Sequence, residues 1–458
     1  MELDSKAIRD LFQEVKKESR KQGMIYEESD GKTRVIPLMI RPRLIRPHQR
    51  DYFLKVCYHM NQAYQKLIQL YFSHPKIQTL FPFTPEEKKW LNDYFPKNPK
   101  APHTLITRWD ANTNFSGRQW KASFHFLEVN GVGVGGLHYT PTAERIILEV
   151  VLGALRKRGH SLKIRPNDDV RQILLWELQS HLKSLGQKRC HIGLVLDDRT
   201  KGGPLDFFFL AKFFQSQGIQ AIVVDPRDLR LKKGQIMAKD LPLDILYRDS
   251  MIEELIEMEK EEKKTLSAMR QAFLENRVVS GLGGELDHKS AFEIFTSPFY
   301  ERYFTFEERK CFRKHVLWTR LIRETKTTDP QGSSIDLLRY ALQHQESLVL
   351  KPNRGYGGAG ILMGKEAPQK KWEHMLQEAL KQTGSYIIQE RCAVRKKKFP
   401  VLDEKKRIVE KNLNVVCGFI YSPYGLGILG RASQANIVNV AQQGGMTTIL
   451  ICENSKIP

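Results

Sequence analysis

The sequence predicts an α/β (α+β) chain. Residues 189–249 alternate a buried strand (His191 to Leu196), a helix (Leu205 to Gly218), a second strand (Ile219 to Val224) and a third (Leu243 to Tyr247). That spacing implies parallel strands joined by right-handed crossovers. Elsewhere strand-like runs come in pairs around glycine-rich or polar connectors, at 105–130 and 348–363, so antiparallel sheet is expected beside the parallel unit. Apolar content of 41% and charged content of 27% over 458 residues fit a folded chain of two to four domains.

Taken in order, residues 1–45 open with an amphipathic helix, apolar at Ile8, Leu11, Phe12 and Val15. Ile36 to Pro47 carries three prolines and reads as extended chain, because proline cannot sit inside a helix. A helix is expected from about Arg50 to Phe72, followed by helical and loop segments up to a proline-rich turn at 95–102.

Leu105 to Asp110 reads as a strand, Ala111 to Lys121 as a polar connector and Ser123 to Asn130 as the partner strand. Strand side chains alternate, so Arg108 and Asp110 share one face, as do Glu128 and Asn130. Paired as a hairpin, they would bring two carboxylates, an amide oxygen and a guanidinium to one patch. Oxygen ligands of this kind suit Mg²⁺, which takes one or two carboxylates plus water and phosphate oxygens. The plainer reading of the same residues is a solvent-facing polar surface with Arg108 bridged to Glu128. Gly131 to Gly136 fits G-x-G-x-x-G ahead of a helix (Thr142 to Lys157). No acidic residue ends a second strand about 20 residues on, which excludes a dinucleotide site.

Asp197, Asp198 and Arg248 lie at strand ends of the 189–249 unit, where they could face a ligand or simply be solvated. Met251 to Glu275 reads as one charged connecting helix, and helices are expected from Leu286 to Pro330.

Leu348 to Leu350 reads as a buried strand with Lys351 at its exit, then a glycine-rich reversal through Gly355, Gly357 and Gly358, then a second apolar run, Ile361 to Met363. Such a connector can present backbone N–H groups to a phosphate chain, or can simply build a long turn. It is not a Walker loop, since no Gly-Lys-Ser/Thr closes it. A helix (Gln369 to Gln382) and a strand (Tyr386 to Glu390) follow. The basic runs Arg395 to Lys398 and Lys405 to Arg407 read as a solvated loop around Pro400. Two strands (414–421, 425–432) and a second glycine loop over 439–447 close the chain.

The net charge of +21 favours anionic partners, among them nucleotides and phosphorylated or polycarboxylate substrates. No zinc-finger spacing, RNP-type motif or basic zipper supports a specific nucleic-acid partner. No apolar run reaches membrane length. Six scattered cysteines without a Cys-x-x-Cys pair predict reduced thiols and a cytoplasmic protein without structural zinc. The 13 histidines show no metal-ligand spacing.

In this order, Arg108-x-Asp110, Glu128-x-Asn130 with its small-residue loop, the Lys351 glycine loop and Tyr386 to Arg391 resemble the circularly permuted ATP-grasp superfamily, the arrangement of eukaryotic glutathione synthetase and of glutathionylspermidine synthetase. The resemblance spans about Thr104 to Thr448. It implies an ATP-grasp fold with an inserted small parallel α/β domain, Asp110, Glu128 and Asn130 as magnesium ligands, and Arg108 on substrate. It further implies Lys289, Lys351, Gly355, Gly357 and Gly358 on the nucleotide phosphates and the segment with Gln389 and Glu390 as the adenine hinge. Arg431 and Gly444 to Met446 would form a lid near an acyl phosphate. One departure stands out: Gly355 occupies a position where eukaryotic glutathione synthetase carries a further magnesium-binding glutamate.

The resemblance implies a ligase that uses ATP and two Mg²⁺ ions to join a small-molecule or peptide carboxylate to an amine, with an anionic substrate in keeping with the charge. The alternatives are a kinase of the same fold acting on an anionic small molecule and a non-catalytic nucleotide- or anion-binding protein. The domains expected are 1–103 (helical and extended), 104–188 (metal-site hairpin), 189–250 (small α/β substrate domain) and 251–458 (glycine loop, hinge and lid).

Overall fold

The computed structural model describes residues 4–28, 30–95, 103–160, 162–199, 203–355, 358–392, 396–435 and 444–454. Among these the architecture is mixed α/β, with several sheets and 14 α-helices. No helix among the described residues is long and apolar enough to cross a membrane.

The largest sheet has eight strands. Its main path runs Arg43–Ile45, Gly445–Cys452, Gly425–Ser433, Ile408–Ser422, Thr107–Asn112, His125–Asn130. The pairs along it are antiparallel except the first. One face packs on the Pro47–Ser73 helix. That helix starts with proline in its first turn, where no intrahelical N–H is needed, and ends ahead of Pro75. Its buried residues Phe53, Val56, Cys57, Met60, Ala63, Tyr64, Leu67, Ile68 and Tyr71 recur with helical period and form one stripe. Phe53 meets Phe419 at 5.2 Å between ring centroids, and Tyr64 meets Trp109 at 5.8 Å. Each such fully buried side chain contributes about 1.5–3 kcal/mol. Because strand residues alternate, Trp109 and Ala111 point into this core and Arg108 and Asp110 to the opposite face.

A second sheet is wholly parallel, with order Val278–Val279, Ile245–Arg248, Ile192–Val195, Ala221–Val224. The Asp206–Ser216 helix supplies the crossover anticipated from the spacing. A third, antiparallel sheet runs Thr319–Leu321, Tyr386–Glu390, Leu348–Pro352, Leu362–Met363. It carries the glycine-rich connector between its last two strands.

Several local expectations are corrected. Residues 251–275 form two helices, Ile252–Glu262 and Ser267–Leu274, because Lys263 takes a left-handed conformation (φ 49°) that ends the first. The first is not merely a charged connector, for Ile252, Leu255, Ile256 and Met258 are buried. Pro400 lies in a strand, Lys397–Leu402, that pairs with Ile408–Ser422 at the sheet's edge, where a residue without an N–H is tolerated. The turn between them retains Lys405 to Arg407. The 286–330 stretch contains the strands Thr319–Leu321 and Lys326–Thr328 as well as helices. Of the expected 439–447 glycine loop, residues 439–443 lie outside the described residues, and Gly445 to Thr447 belong to the strand Gly445–Cys452. A small antiparallel meander, Arg230–Lys232, Gln235–Ala238 and Leu241–Leu243, was not foreseen between the parallel strands.

Candidate functional site

The hairpin forms in the register that alternation demands: Arg108 opposes Asn130 and Asp110 opposes Glu128, with a bulge after Asp110. All four residues therefore share one face. Their contacts differ from either simple expectation. Asp110 is buried and held by two arginines: Arg108 reaches both of its oxygens, with Nη2 donating to Oδ2 at 3.2 Å, and Arg431 shares Oδ2. Arg108 Nε donates to Oδ1 at 2.8 Å and Arg431 Nη2 to Oδ2 at 2.7 Å. Burial alone would push this carboxyl up; the two guanidiniums outweigh it and hold it at about 2. Arg108 is thus bridged to Asp110 rather than to Glu128, and its Nη1 donates to the Gly135 carbonyl at 3.0 Å.

Glu128 instead faces Lys289, whose Nζ lies 3.4 Å from Oε2. Lys289 Nζ also donates to the Gly355 carbonyl at 3.0 Å, which ties the glycine loop to the cleft. Arg354, the residue before, pairs with Glu87 at 2.7 Å and Glu253 at 3.2 Å and anchors the same loop. Lys351 is buried within its strand rather than at the exit, and its Nζ donates to Gln389 Oε1 at 2.7 Å. Burial pushes its ammonium down to about 8; Glu128 opposes the shift and Lys289 adds to it. The Gln389 amide in turn donates to Thr319 Oγ1 at 3.0 Å and to the Leu127 carbonyl at 3.3 Å, linking the third sheet to the hairpin. Glu390 is half-buried, and burial raises its carboxyl.

A cleft results, lined by Glu128, Asn130, Met251, Asp287, Lys289, Arg354 and Gly355. Gly355 (φ 98°) and Gly358 (φ 79°) adopt backbone conformations that favour glycine; Gly357 lies outside the described residues. Met446 is buried in its strand, paired with Arg431. Asp287 was missed from the sequence. It accepts the Gly131 N–H at 3.0 Å, and burial pushes its carboxyl up to about 7. Its place two residues before Lys289 was the available signal, as adjacency to Gly355 was for Arg354. Arg248, read as either facing a ligand or solvated, does neither: it is fully buried and paired with Glu285.

These donors fit one magnesium ion. Glu128 and the Asn130 amide face the cleft, and Asn130 uses only Nδ2, which donates to the Arg108 carbonyl at 3.3 Å, so its oxygen is available. Asp110 could join them only by releasing its arginines. Among the described residues no three His, Cys, Asp or Glu side chains are grouped to hold a metal.

The architecture places the chain in a class: mixed α/β proteins with a glutathione synthetase-like fold. It is similar to the structure of a glutathione synthetase-like effector from Globodera pallida in its apo form, with a TM-score of 0.66 and 13% identity over 98% of each chain. At that identity the likeness concerns the fold. No family model matches the sequence, and no curated protein does.

Proposed function

We propose that the chain is an ATP- and magnesium-dependent ligase of circularly permuted ATP-grasp type, joining a carboxylate to an amine through an acyl phosphate. The observation that carries this reading is the meeting of Glu128, Lys289 and Lys351 beside Gly355. Glu128 and Lys289 line a cleft edged by a glycine-rich connector, and the buried Lys351 ammonium adds a second positive charge near Glu128. Such a combination suits a triphosphate and its metal, whose transfer chemistry needs positioning and charge neutralisation.

In this reading Lys289 and Lys351 hold the phosphates, with the backbone of Gly355 and Gly358 against them. Glu128 and Asn130 would hold magnesium, which when bound neutralises phosphate charge. A substrate carboxylate oxygen forms a bond to the γ-phosphorus as the bond to the ADP oxygen breaks. The amine then adds to the acyl carbon, phosphate leaves, and the amine proton passes to solvent. Arg108 and Arg431, pre-aligned by Asp110, supply positive charge beside the transferred group.

A second reading, nucleotide binding without ligation, is favoured by one feature, the closed Asp110–arginine cluster. The two separate in an assay of ADP and phosphate release with a pool of carboxylates. Release that depends on an added amine supports the ligase; ATP binding with no release under any pool supports the binding protein. Phosphate retained on a product would indicate a kinase.

A further inference from the structure

Two residues beyond Asp110, alternation brings Asn112 to the same face of the hairpin, and the register sets His125 opposite it. Cys392 stands two residues after the strand Tyr386–Glu390 and meets both of them. Asn112 Nδ2 donates to its Sγ at 3.3 Å, and Sγ lies 3.9 Å from His125 Nδ1, within reach of a hydrogen bond to sulfur. The third sheet thus delivers a thiol to a base and an amide donor held on the largest sheet. A nucleophile beside a base, with a donor on the atom that becomes charged, is the arrangement that activates a thiol.

The group opens on a cavity of about 480 Å³, lined by His125 and Cys392 with Asn114, Arg118, Gln119 and Ser123 among others. That volume takes a small molecule. The cavity shares no lining residue with the cleft at Glu128. Among its described lining residues Arg118 alone is permanently charged, which favours an anionic occupant. Burial raises the Cys392 thiol and lowers the His125 imidazole, so both are neutral at pH 7. Asn112, Lys351 and Arg391 pull the thiol back down, and Glu390 pushes it up. With Nδ1 unprotonated, the imidazole is positioned to accept the thiol proton.

The other five cysteines differ. Cys57, Cys311, Cys417 and Cys452 are buried. Cys190 is half-buried like Cys392, but burial and the Asp244 carboxylate push its thiol up to about 11. The adjacent imidazole, His191, is held through Nδ1 on the Pro242 carbonyl at 2.9 Å.

We propose that Cys392 is a modification site for small anionic disulfides, with His125 as its base and Arg118 as the cation that selects negative charge. Cys392 Sγ gives its proton to His125 Nδ1 and attacks one sulfur of the incoming disulfide. A new S–S bond joins Cys392 to that sulfur, the old S–S bond breaks, and the released thiolate takes the proton from His125. The disulfide is the oxidant, and exchange with a free thiol reverses the change. Nothing in this exchange depends on nucleotide or metal.

The test treats the full chain with dithiodipropionate, the neutral hydroxyethyl disulfide and the cationic cystamine, and follows mass gain at each cysteine by peptide mass spectrometry. Rates are divided by those of the same reagents with N-acetylcysteinamide, so that intrinsic reactivity cancels. Cys392 should react at least about tenfold faster than Cys190, and faster with dithiodipropionate than with cystamine. His125→Gln should slow Cys392 by about tenfold or more without lowering the unfolding temperature. Arg118→Gln should keep the rate with hydroxyethyl disulfide and erase the preference for the anion. Cys190 labelled as fast as Cys392, or equal Cys392 rates in wild type and His125→Gln, overturns the proposal. So does an anion preference that survives Arg118→Gln. Arg118 is exposed, so its variant and the Cys392-to-Cys190 ratio still decide the matter if His125→Gln fails to fold.

Discussion

Arg431 reaches Asp110 across an intervening strand, Nη2 to Oδ2 at 2.7 Å, and Gly418 is what lets it. In the sheet, Ile408–Ser422 lies between the strands that carry the two residues, and Gly418 pairs directly with Asp110. A Cβ at Gly418 would lie 2.9 Å from Asp110 Oδ1 and 2.7 Å from Arg108 Cδ. The absent side chain leaves room for a carboxylate clamped by two guanidiniums.

Asp110→Ala should therefore be severely destabilising, because it leaves two guanidiniums facing each other without an anion. A loss of about 3–5 kcal/mol is expected in urea unfolding at pH 7. The pH dependence follows from the depressed carboxyl, at about 2 folded against an ordinary 3.8. The stabilisation is fully present above pH 4 and is lost as pH falls toward 2, about 2–3 kcal/mol in all. Asp110→Asn should flatten that part of the stability profile. Wild-type and Asp110→Asn curves that run parallel between pH 5 and 2 would refute the clamp.

Lys351 gives a pH signature for nucleotide binding. Burial holds its ammonium down to about 8, so above pH 8 the free protein carries it largely neutral. Phosphate favours the charged form, so ATP binding should take up about half a proton near pH 8 and close to one near pH 9, and affinity should fall as pH rises further. Calorimetry in buffers of different ionisation enthalpy reads the uptake directly, and Lys351→Arg should abolish it. For stability the slope with pH has the same sign as that of Asp110, although it runs in a different pH window. The folded state binds fewer protons than the unfolded state between pH 8 and 10.5, so this group's contribution improves as pH rises through that window.

Much of this was legible locally. A helix was legible from about Arg50 to Phe72, close to the observed Pro47–Ser73, and two-residue alternation put Arg108 with Asp110 and Glu128 with Asn130 on faces that the hairpin joins. What stayed hidden depends on partners. Thr319–Leu321 is only three residues long and is a strand because Tyr386–Glu390 pairs with it. The break after Glu262 depends on a left-handed lysine, which no glycine or proline announces. Pro400 reads as a loop until its edge position is known. The competition of Arg431 and Arg108 for Asp110 needs a third strand with glycine at one position, so a metal-ligand motif in sequence became an ion cluster in space.

The Arg248–Glu285 pair is entirely buried, and Arg248 also donates to the carbonyls of Ser280 (3.0 Å), Ser250 (2.9 Å) and Gly281 (3.2 Å). Glu285→Ala should destabilise by about 3–5 kcal/mol by stranding the guanidinium, whereas Arg248→Met with Glu285→Leu should recover most of the loss. Thermal or urea unfolding of the single and double variants checks this. A double variant as unstable as Glu285→Ala would show that the arginine's carbonyl contacts, not the ion pair, hold the parallel sheet to the 282–286 turn.

Glu128 and Asn130 are the direct test of the magnesium site. Glu128→Gln removes the charge that faces Lys289 at 3.4 Å while keeping the shape, and Asn130→Ala removes the available amide oxygen. Glu128 keeps 31% of its side chain exposed, so Glu128→Gln should shift stability by less than about 1 kcal/mol. Asn130 is buried and donates to the Arg108 carbonyl, so Asn130→Ala should cost about 1–3 kcal/mol. Magnesium-dependent nucleotide affinity should fall tenfold or more, about 1.4 kcal/mol, in each. Nucleotide binding measured without magnesium should fall less, and in Glu128→Gln should rise, because Lys289 is freed from its carboxylate to meet phosphate. Binding that responds to both substitutions equally with and without magnesium would place the metal elsewhere.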